Sequence, residues 1–439
     1  MKRRILLLAP SPWDLKEIKK SAHQEKYEFI PVPMEFYQTH PLLIGLRFDI
    51  MHFIAKTVRL GRKTGVSGVV GTHDYPASLA AAAVAAELGL PGPHVEAALL
   101  CQHKYLCRLK QKEIAPEATP AFGLLDPFDF PPRRLPLPFP FFVKPVKATL
   151  SMFAGEAAND RELAALVRLS WLERLGGRIA LRPFNRMLAS YSDFKTHANF
   201  FIAEEVLRGA QVTVEGFAHE GRPSIMGVVD SVMYPGTRSF ERFEYPSRLP
   251  LQVQERMESL ALRLMSSVGF DNGCFNVEMI YDAPKDSIHI IEINPRICSQ
   301  FSDLYEKVDG TSGYAVQLSI ATGERPTFSR GAGKCGAAAS FVLRTFEDKK
   351  VLRLPSAAEI SFVKERFPGT RVMPLCRENA WLSVEPQDRE SFRYAAINMG
   401  AAGFDELYAS FQAARAALPF EFAGEPLRKT DYRLSESLT

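Results

Sequence analysis

The 439-residue chain is 46% hydrophobic and 24% charged, an ordinary balance for a globular protein too long for one hydrophobic core. Its net charge of +4 is small and spread along the chain, and Lys/Arg clusters such as Lys2–Arg4, Lys16–Lys20 and Arg133–Arg134 are short, which argues against a nucleic-acid footprint and suits an anionic small molecule. No apolar run approaches the ~20 residues of a membrane span, and six cysteines without CxxC spacing argue against a disulfide scaffold and fit free thiols in a cytoplasmic protein.

The opening Ile5–Ala9 is too short for a secretory segment and is ended by Pro10, so it reads as a buried strand. A helix over Asp14–Glu25 opened by an acidic cap, a strand at Tyr27–Val32, a helical stretch around Phe48–Arg62, a strand at Val66–Gly71 and an Ala-rich helix ending at Gly89 follow. This alternation predicts a doubly wound parallel sheet, with Ala9–Ser11 and Gly71–Asp74 at the carboxyl ends of its strands as candidate site edges. His73 and Asp74 read there as a loop histidine and a helix-capping acid. The Pro-rich Pro131–Pro140 reads as a stiff surface connector. Strands at Phe141–Pro145 and Thr149–Ala154 and a helix near Asn159–Leu175 come next. Beta structure over Phe200–Met233, with a turn at Glu220-Gly221, precedes a helix at Leu251–Val268 and a β pair at Cys274–Ile293. The remainder predicts a strand at Ala337–Arg344 and helices at Asp388–Asn398 and Phe404–Ala417.

The chemistry concentrates in Asn276-Val-Glu278 and Glu292-Ile-Asn294-Pro-Arg296. Alternation puts Asn276 and Glu278 on one face, and Ile290, Glu292 and Asn294 on one face of the next strand. A five-residue turn over Ala283–Ser287 sets Glu278 opposite Glu292. Like charges so opposed destabilise a strand pair unless a cation lies between them, and oxygen ligands of this kind suit Mg²⁺. Arg296, just past the strand, suits phosphate or carboxylate oxygens.

These two segments resemble the metal-binding signature of the ATP-grasp superfamily. Other motifs occur in the order that family implies: Leu88-Gly-Leu-Pro-Gly92 before Lys104 and Pro120-Ala-Phe122, then Phe142-Val-Lys-Pro145 with Lys144, then Phe201-Ile-Ala-Glu-Glu-Val-Leu-Arg-Gly209. The resemblance implies phosphate contacts from Lys104 and Lys144, an adenine-edge hinge at Glu205, Val206 and Leu207 with Glu204 beside the amino group, and ribose at Gln211. It also implies Mg²⁺, with Mn²⁺ as an admissible substitute, on Glu278, Glu292 and Asn294, and catalytic roles for Lys144 and Arg296. Taken singly, each charged residue reads as an ordinary surface group; their ordered occurrence favours the site. The chain departs from the family in three places. Val146–Ala154 lacks the usual glycines, so Lys147 and Ser151 become the candidate phosphate contacts there. Gln211 replaces an acid, and His103 stands where an acid often precedes the lysine.

The implied fold is α/β and α+β. It comprises an N-terminal doubly wound α/β domain (1–100), a central ATP-grasp domain (101–327) and a small C-terminal α+β cap (328–439). The implied activity is ATP-dependent joining of a small carboxylate to an amine through an acyl phosphate. The expected partners are ATP and these two substrates, with no nucleic acid and no membrane, and a homodimer as an open assembly. Two alternatives keep the fold: a nucleotide-binding regulator without turnover, and a biotin-carboxylase-like enzyme. The chain lacks the Met-Lys-Met motif and carrier domain that would favour the latter.

Overall fold

The computed structural model describes residues 2–38, 47–147, 154–168, 171–385, 387 and 391–423. Strand β1 (Arg3–Leu8) is buried from Ile5 to Leu8 because it is the middle strand of a parallel sheet, between β2 (Tyr27–Val32) and β3 (Gly68–Gly71). Leu6 and Leu8 pack on the side of α3 (Ile50–Thr64) and α4 (Ala77–Leu88). Ile5 and Leu7 pack on the opposite side, with Ile18 of α1 (Pro12–Ile18). The helix expected over Asp14–Glu25 is two helices, α1 and α2 (Ser21–Lys26), interrupted at Lys20, whose ψ of 139° is extended. Its cap is Ser11 rather than an acid. The Ser11 hydroxyl accepts the Asp14 N–H while the Asp14 carboxylate accepts the Ser11 N–H, a reciprocal pairing that satisfies both orphan donors.

Helices α5 (Val95–Gln102) and α6 (Lys104–Ile114) lead into a four-stranded antiparallel sheet. It is built from β4 (Phe122–Leu125), β5 (Phe141–Pro145), β6 (Gly155–Ala157) and β7 (Phe201–Glu205) in the order β4-β7-β5-β6. The strand expected at Thr149–Ala154 lies outside the described residues but for Ala154. The single helix expected near Asn159–Leu175 is instead α7 (Asp160–Val167), capped by the Asn159 side chain, and the longer α8 (Trp171–Tyr191).

The largest sheet is antiparallel and eight-stranded. It takes β8 (Ala210–His219), β9 (Arg222–Met233), β10 (Phe240–Tyr245), β11 (Gly273–Asp282) and β12 (Ser287–Asn294) from the central part of the chain. From the last hundred residues it takes β13 (Ala337–Thr345), β15 (Arg371–Pro374) and β16 (Phe392–Ala401), in the order β12-β11-β8-β9-β10-β13-β16-β15. Strands β14 (Val351–Arg353) and β17 (Glu421–Phe422) form a separate pair. Helices α9 (Leu251–Ser267), α10 (Ser302–Asp309), α11 (Gly313–Ala321), α12 (Ala357–Arg366) and α13 (Phe404–Ala416) complete the fold. The helix expected over Asp388–Asn398 is corrected: Phe392–Ala401 is a strand. It runs between β13 and β15 with Tyr394–Met399 buried on both faces, so its apolar run carries no strand alternation to read.

All six cysteines are free, and among the described residues no helix is long and apolar enough to cross a membrane. One ionic junction ties the end of the large sheet to the N-terminal region. The Arg371 guanidinium reaches Asp303 at 2.7 Å, Glu306 at 3.0 Å and Glu17 of α1, and lies over the Trp13 ring. We expect Arg371→Met to cost about 3 kcal/mol, since Asp303 and Glu17 would stay buried with a cation removed. Denaturant unfolding measures it, and an unchanged midpoint would show the junction to be incidental.

Candidate active site

Helix α6 and strands β5, β7, β11 and β12 bring the predicted residues together. Helix α6 begins at Lys104, capped by His103, whose Nδ1 accepts the Leu106 N–H at 3.3 Å. One turn later on the same face stands Arg108. The Lys104 ammonium lies 3.3 Å from Glu292 on β12. The Arg108 Nε donates to Glu204 on β7 at 2.7 Å, and one Nη donates to the Ile291 carbonyl at 2.7 Å. Lys144 on β5 contacts the other Glu204 oxygen at 2.7 Å. Lys147 donates to Gln102 at 2.9 Å and faces Asp74 at 4.0 Å, so the carboxyl end of the parallel sheet does enter the site.

The carboxylate pair depends on a bulge. Asp282 pairs with Ser287, so the turn is one residue shorter than the five-residue loop expected, and strict pairing from there would misalign the two acids. An extra residue on β12 at Ile291 shifts the register between Met279↔Ile290 and Glu278↔Glu292, and the acids end directly opposite each other. The same bulge corrects the face assignment of Ile290. It packs in the core with Ile288 and Ile293, while Glu292 and Asn294 turn to the site. Arg108 captures the carbonyl of the bulged residue.

Burial and then the Glu292 charge raise the pKa of Glu278. Burial opposes the Glu292 charge too, but Lys104 and Lys144 outweigh it and hold that carboxyl low. Gln211 donates to Glu278 at 3.2 Å; the Asn294 amide donates to Glu278 at 3.1 Å and to Asn276 at 2.9 Å. The Asn294 amide oxygen thus remains as a ligand atom beside two opposed carboxylates, a hard-oxygen donor set that fits Mg²⁺ completed by phosphate and water. Burial would raise Glu204, yet Arg108 and Lys144 outweigh it and hold its pKa at about 2. Lys144 responds differently. Burial lowers its pKa, and the opposing pull of Glu204, with a lesser one from Glu292, is offset by the cationic neighbours Arg108 and Lys104, so the net shift is downward. Burial, only partly offset by Asp74, brings Lys147 to about 8.

Of the other predicted residues, Glu205, Val206 and Leu207 follow Glu204 directly, where β7 ends and turns toward β8. The Glu205 N–H donates to the Ala121 carbonyl at 2.9 Å. Gly209 is required in this turn: its φ is +129°, and a Cβ would fall 2.1 Å from the Tyr281 carbonyl. Arg296 sits after β12, where burial is outweighed by Asp74 and other acids, so its pKa is raised. Its guanidinium donates to the Ile297 carbonyl at 3.2 Å. Ser151 lies outside the described residues. Both Glu204 oxygens are engaged by cations, and the Gln211 amide faces the acid pair. Sequence reasoning missed Arg108 and Gln102 as members of the site. For Arg108 the available signal was its spacing of four from Lys104 on one helix.

The site is a cluster in which Lys104 of a helix meets the paired acids of the larger sheet while Lys144 of the small antiparallel sheet pairs with Glu204 beside it. Within the chain, residues 137–303 match the ATP-grasp domain family. Among solved structures the chain is similar to L-amino acid ligase from Bacillus licheniformis, at TM-score 0.70 and 15% identity, covering 96% of this chain and 99% of that one. It is likewise similar to phosphoribosylglycinamide synthetase from Anaerococcus prevotii, at TM-score 0.66 and 16% identity over 96% and 100%. The biotin carboxylase domain of Hydrogenobacter thermophilus 2-oxoglutarate carboxylase, solved with MgADP and bicarbonate, gives 0.64 and 15% over 96% and 91%. At these identities the likeness establishes the fold. No curated protein matches the sequence.

Two stability outcomes follow from the charges. Glu204→Gln should cost about 3–5 kcal/mol by leaving buried cations without their shared carboxylate. In wild type, the stability Glu204 contributes is complete above its unfolded pKa near 4.5 and is lost as pH falls toward about 2. Acid unfolding of both proteins checks this, and an identical acid limb in Glu204→Gln would contradict it. By contrast, Glu278→Gln relieves a like-charge pair, so the apo protein should melt at the same temperature or higher. A clear drop would show that the pair is not repulsive.

Proposed function

We propose that the chain is an ATP-dependent carboxylate–amine ligase that forms an amide bond from a small carboxylate, an amino acid among the candidates, and releases ADP and phosphate. The observation that carries this reading is the cluster of Lys104 on Glu292, Lys144 on Glu204 and Lys147 by Asp74 around the opposed Glu278 and Glu292, with Arg296 just past the same strand. In this scheme the adenine edge lies along Glu205–Leu207 with Glu204 beneath it, and the ribose reaches Gln211. The three lysines, with Ser151, meet the phosphates. Glu278, Glu292 and the Asn294 amide oxygen would hold Mg²⁺ or Mn²⁺, which when bound offsets phosphate charge.

Lys104 and Lys144 are paired to carboxylates in the free protein and must exchange them for phosphate oxygens. Arg296 then orients the acceptor carboxylate or the transferring phosphate. A carboxylate oxygen attacks the γ-phosphorus and ADP leaves. The amine next attacks the acyl carbon, loses its proton and expels phosphate. Positioning and electrostatics supply the acceleration, so no nucleophilic side chain is needed. The biotin-carboxylase-like alternative differs in its acceptor and the regulatory alternative in having no turnover; dependence of ADP release on a carboxylate and an amine together separates all three.

MgATP should raise the melting temperature, since a ligand at a hundred times its Kd adds about 2.7 kcal/mol to the folded state. A screen of ADP release over pairs of amino acids and small acids should find a pair on which release depends. Lys144→Ala, Arg296→Ala and Glu292→Gln should each lower that rate by on the order of a hundredfold. Full rates in Glu292→Gln, or no thermal response to MgATP, would overturn the proposal.

A further inference from the structure

One guanidinium joins the two sheets of the site. Arg108 is 2% exposed, and its nitrogens bond Glu204 of the small sheet, the Ile291 carbonyl of the large sheet and Gln111 of its own helix. Glu204, 5% exposed, therefore has two cationic partners: Arg108 on one oxygen and Lys144 on the other, each at 2.7 Å. Only one of the two can leave without stranding a buried charge. Arg108 is fixed by three acceptors, whereas the buried Lys144 ammonium is paired with Glu204 alone.

We propose that Arg108 is a positioning residue that holds Glu204 as a fixed counter-charge while Lys144 exchanges Glu204 for a nucleotide phosphate, a role that rests on the nucleotide-binding reading. An unpaired buried carboxylate costs several kcal/mol or takes up a proton. With Arg108 in place, Lys144 departs and Glu204 stays ionised and satisfied. Without it, Lys144 either remains on Glu204 and is lost to the phosphate, or departs and forces a solvent proton onto Glu204. The other titratable groups near Glu204 are Lys104 and Cys107 of α6, and neither bonds it directly. Through the Ile291 carbonyl the same residue also holds the bulge that aligns Glu292 with Glu278.

The test is calorimetric titration of the full chain with ATP in buffers of differing ionisation enthalpy, which counts protons taken up on binding. Wild type, Arg108→Gln, Arg108→Lys and Arg108→Gln/Glu204→Gln are compared with their apo melting temperatures. Any change at Glu278 or Lys147 caused by losing Arg108 is shared by Arg108→Gln and the double variant, so the difference between those two isolates Glu204. Arg108→Gln should bind ATP at least about tenfold more weakly and take up about one more proton than wild type near neutral pH. Arg108→Lys, which keeps a charge on Glu204, should take up the wild-type number. The double variant, with no carboxylate to strand, should also show the wild-type count. A purely structural Arg108 predicts a lower melting temperature with unchanged proton count and affinity in Arg108→Gln, and that result overturns the proposal. If Arg108→Gln does not fold, proton uptake above the wild-type number in the double variant overturns it instead. A wild type that binds no ATP overturns the nucleotide reading and this role with it.

Discussion

Two carboxylates set directly opposite each other on neighbouring strands are an arrangement a sheet avoids, and the rest of the site is organised around that repulsion. Glu278 and Glu292 reach this position only because β12 carries an extra residue at Ile291. The cost is shared by surrounding groups. Lys104 neutralises Glu292, amides of Gln211 and Asn294 donate to Glu278, and Arg108 fills the hydrogen bond that the bulge leaves open. Buried acids in this setting are satisfied but still repel each other, which is the electrostatic state a divalent cation relieves.

The lysines obey the same logic. Each is paired with a carboxylate where a phosphate is expected, so the free site is close to charge balance despite its depth. Such pairs are interchangeable: a phosphate oxygen can replace a carboxylate oxygen at modest cost if the stranded acid keeps another partner. Glu292 would keep a metal and Glu204 keeps Arg108. Helix α6 carries both lysine-type contacts, Lys104 toward the large sheet and Arg108 toward the small one.

Much of this was legible in the sequence, because it rests on short-range rules. Strand β1 reads from an apolar run, α4 from alanines ended by Gly89, and the β11–β12 hairpin from its two acidic segments. The opposition of Glu278 and Glu292 was placed correctly, although by way of a turn one residue too long; the bulge at Ile291 compensates and leaves no residue-type signature. Arg108 was missed because its partners lie 96 and 183 residues away and its pattern is that of any helical arginine. Strand β16 was read as a helix because burial on both faces erases alternation. Glu204 was assigned by motif to an adenine contact, and the pairing of both its oxygens with cations depends on three-dimensional proximity that no local rule encodes.

The claim that the opposed acids form a divalent-cation site for nucleotide is tested most directly by electron paramagnetic resonance of Mn²⁺ with a non-hydrolysable ATP analogue. Wild type should retain Mn²⁺ in proportion to protein, with a spectrum that changes when the analogue is added. A Glu278→Gln/Glu292→Gln double variant should leave the ion free in solution under the same conditions while remaining folded. Equal Mn²⁺ retention with the same spectrum in both proteins would contradict the account.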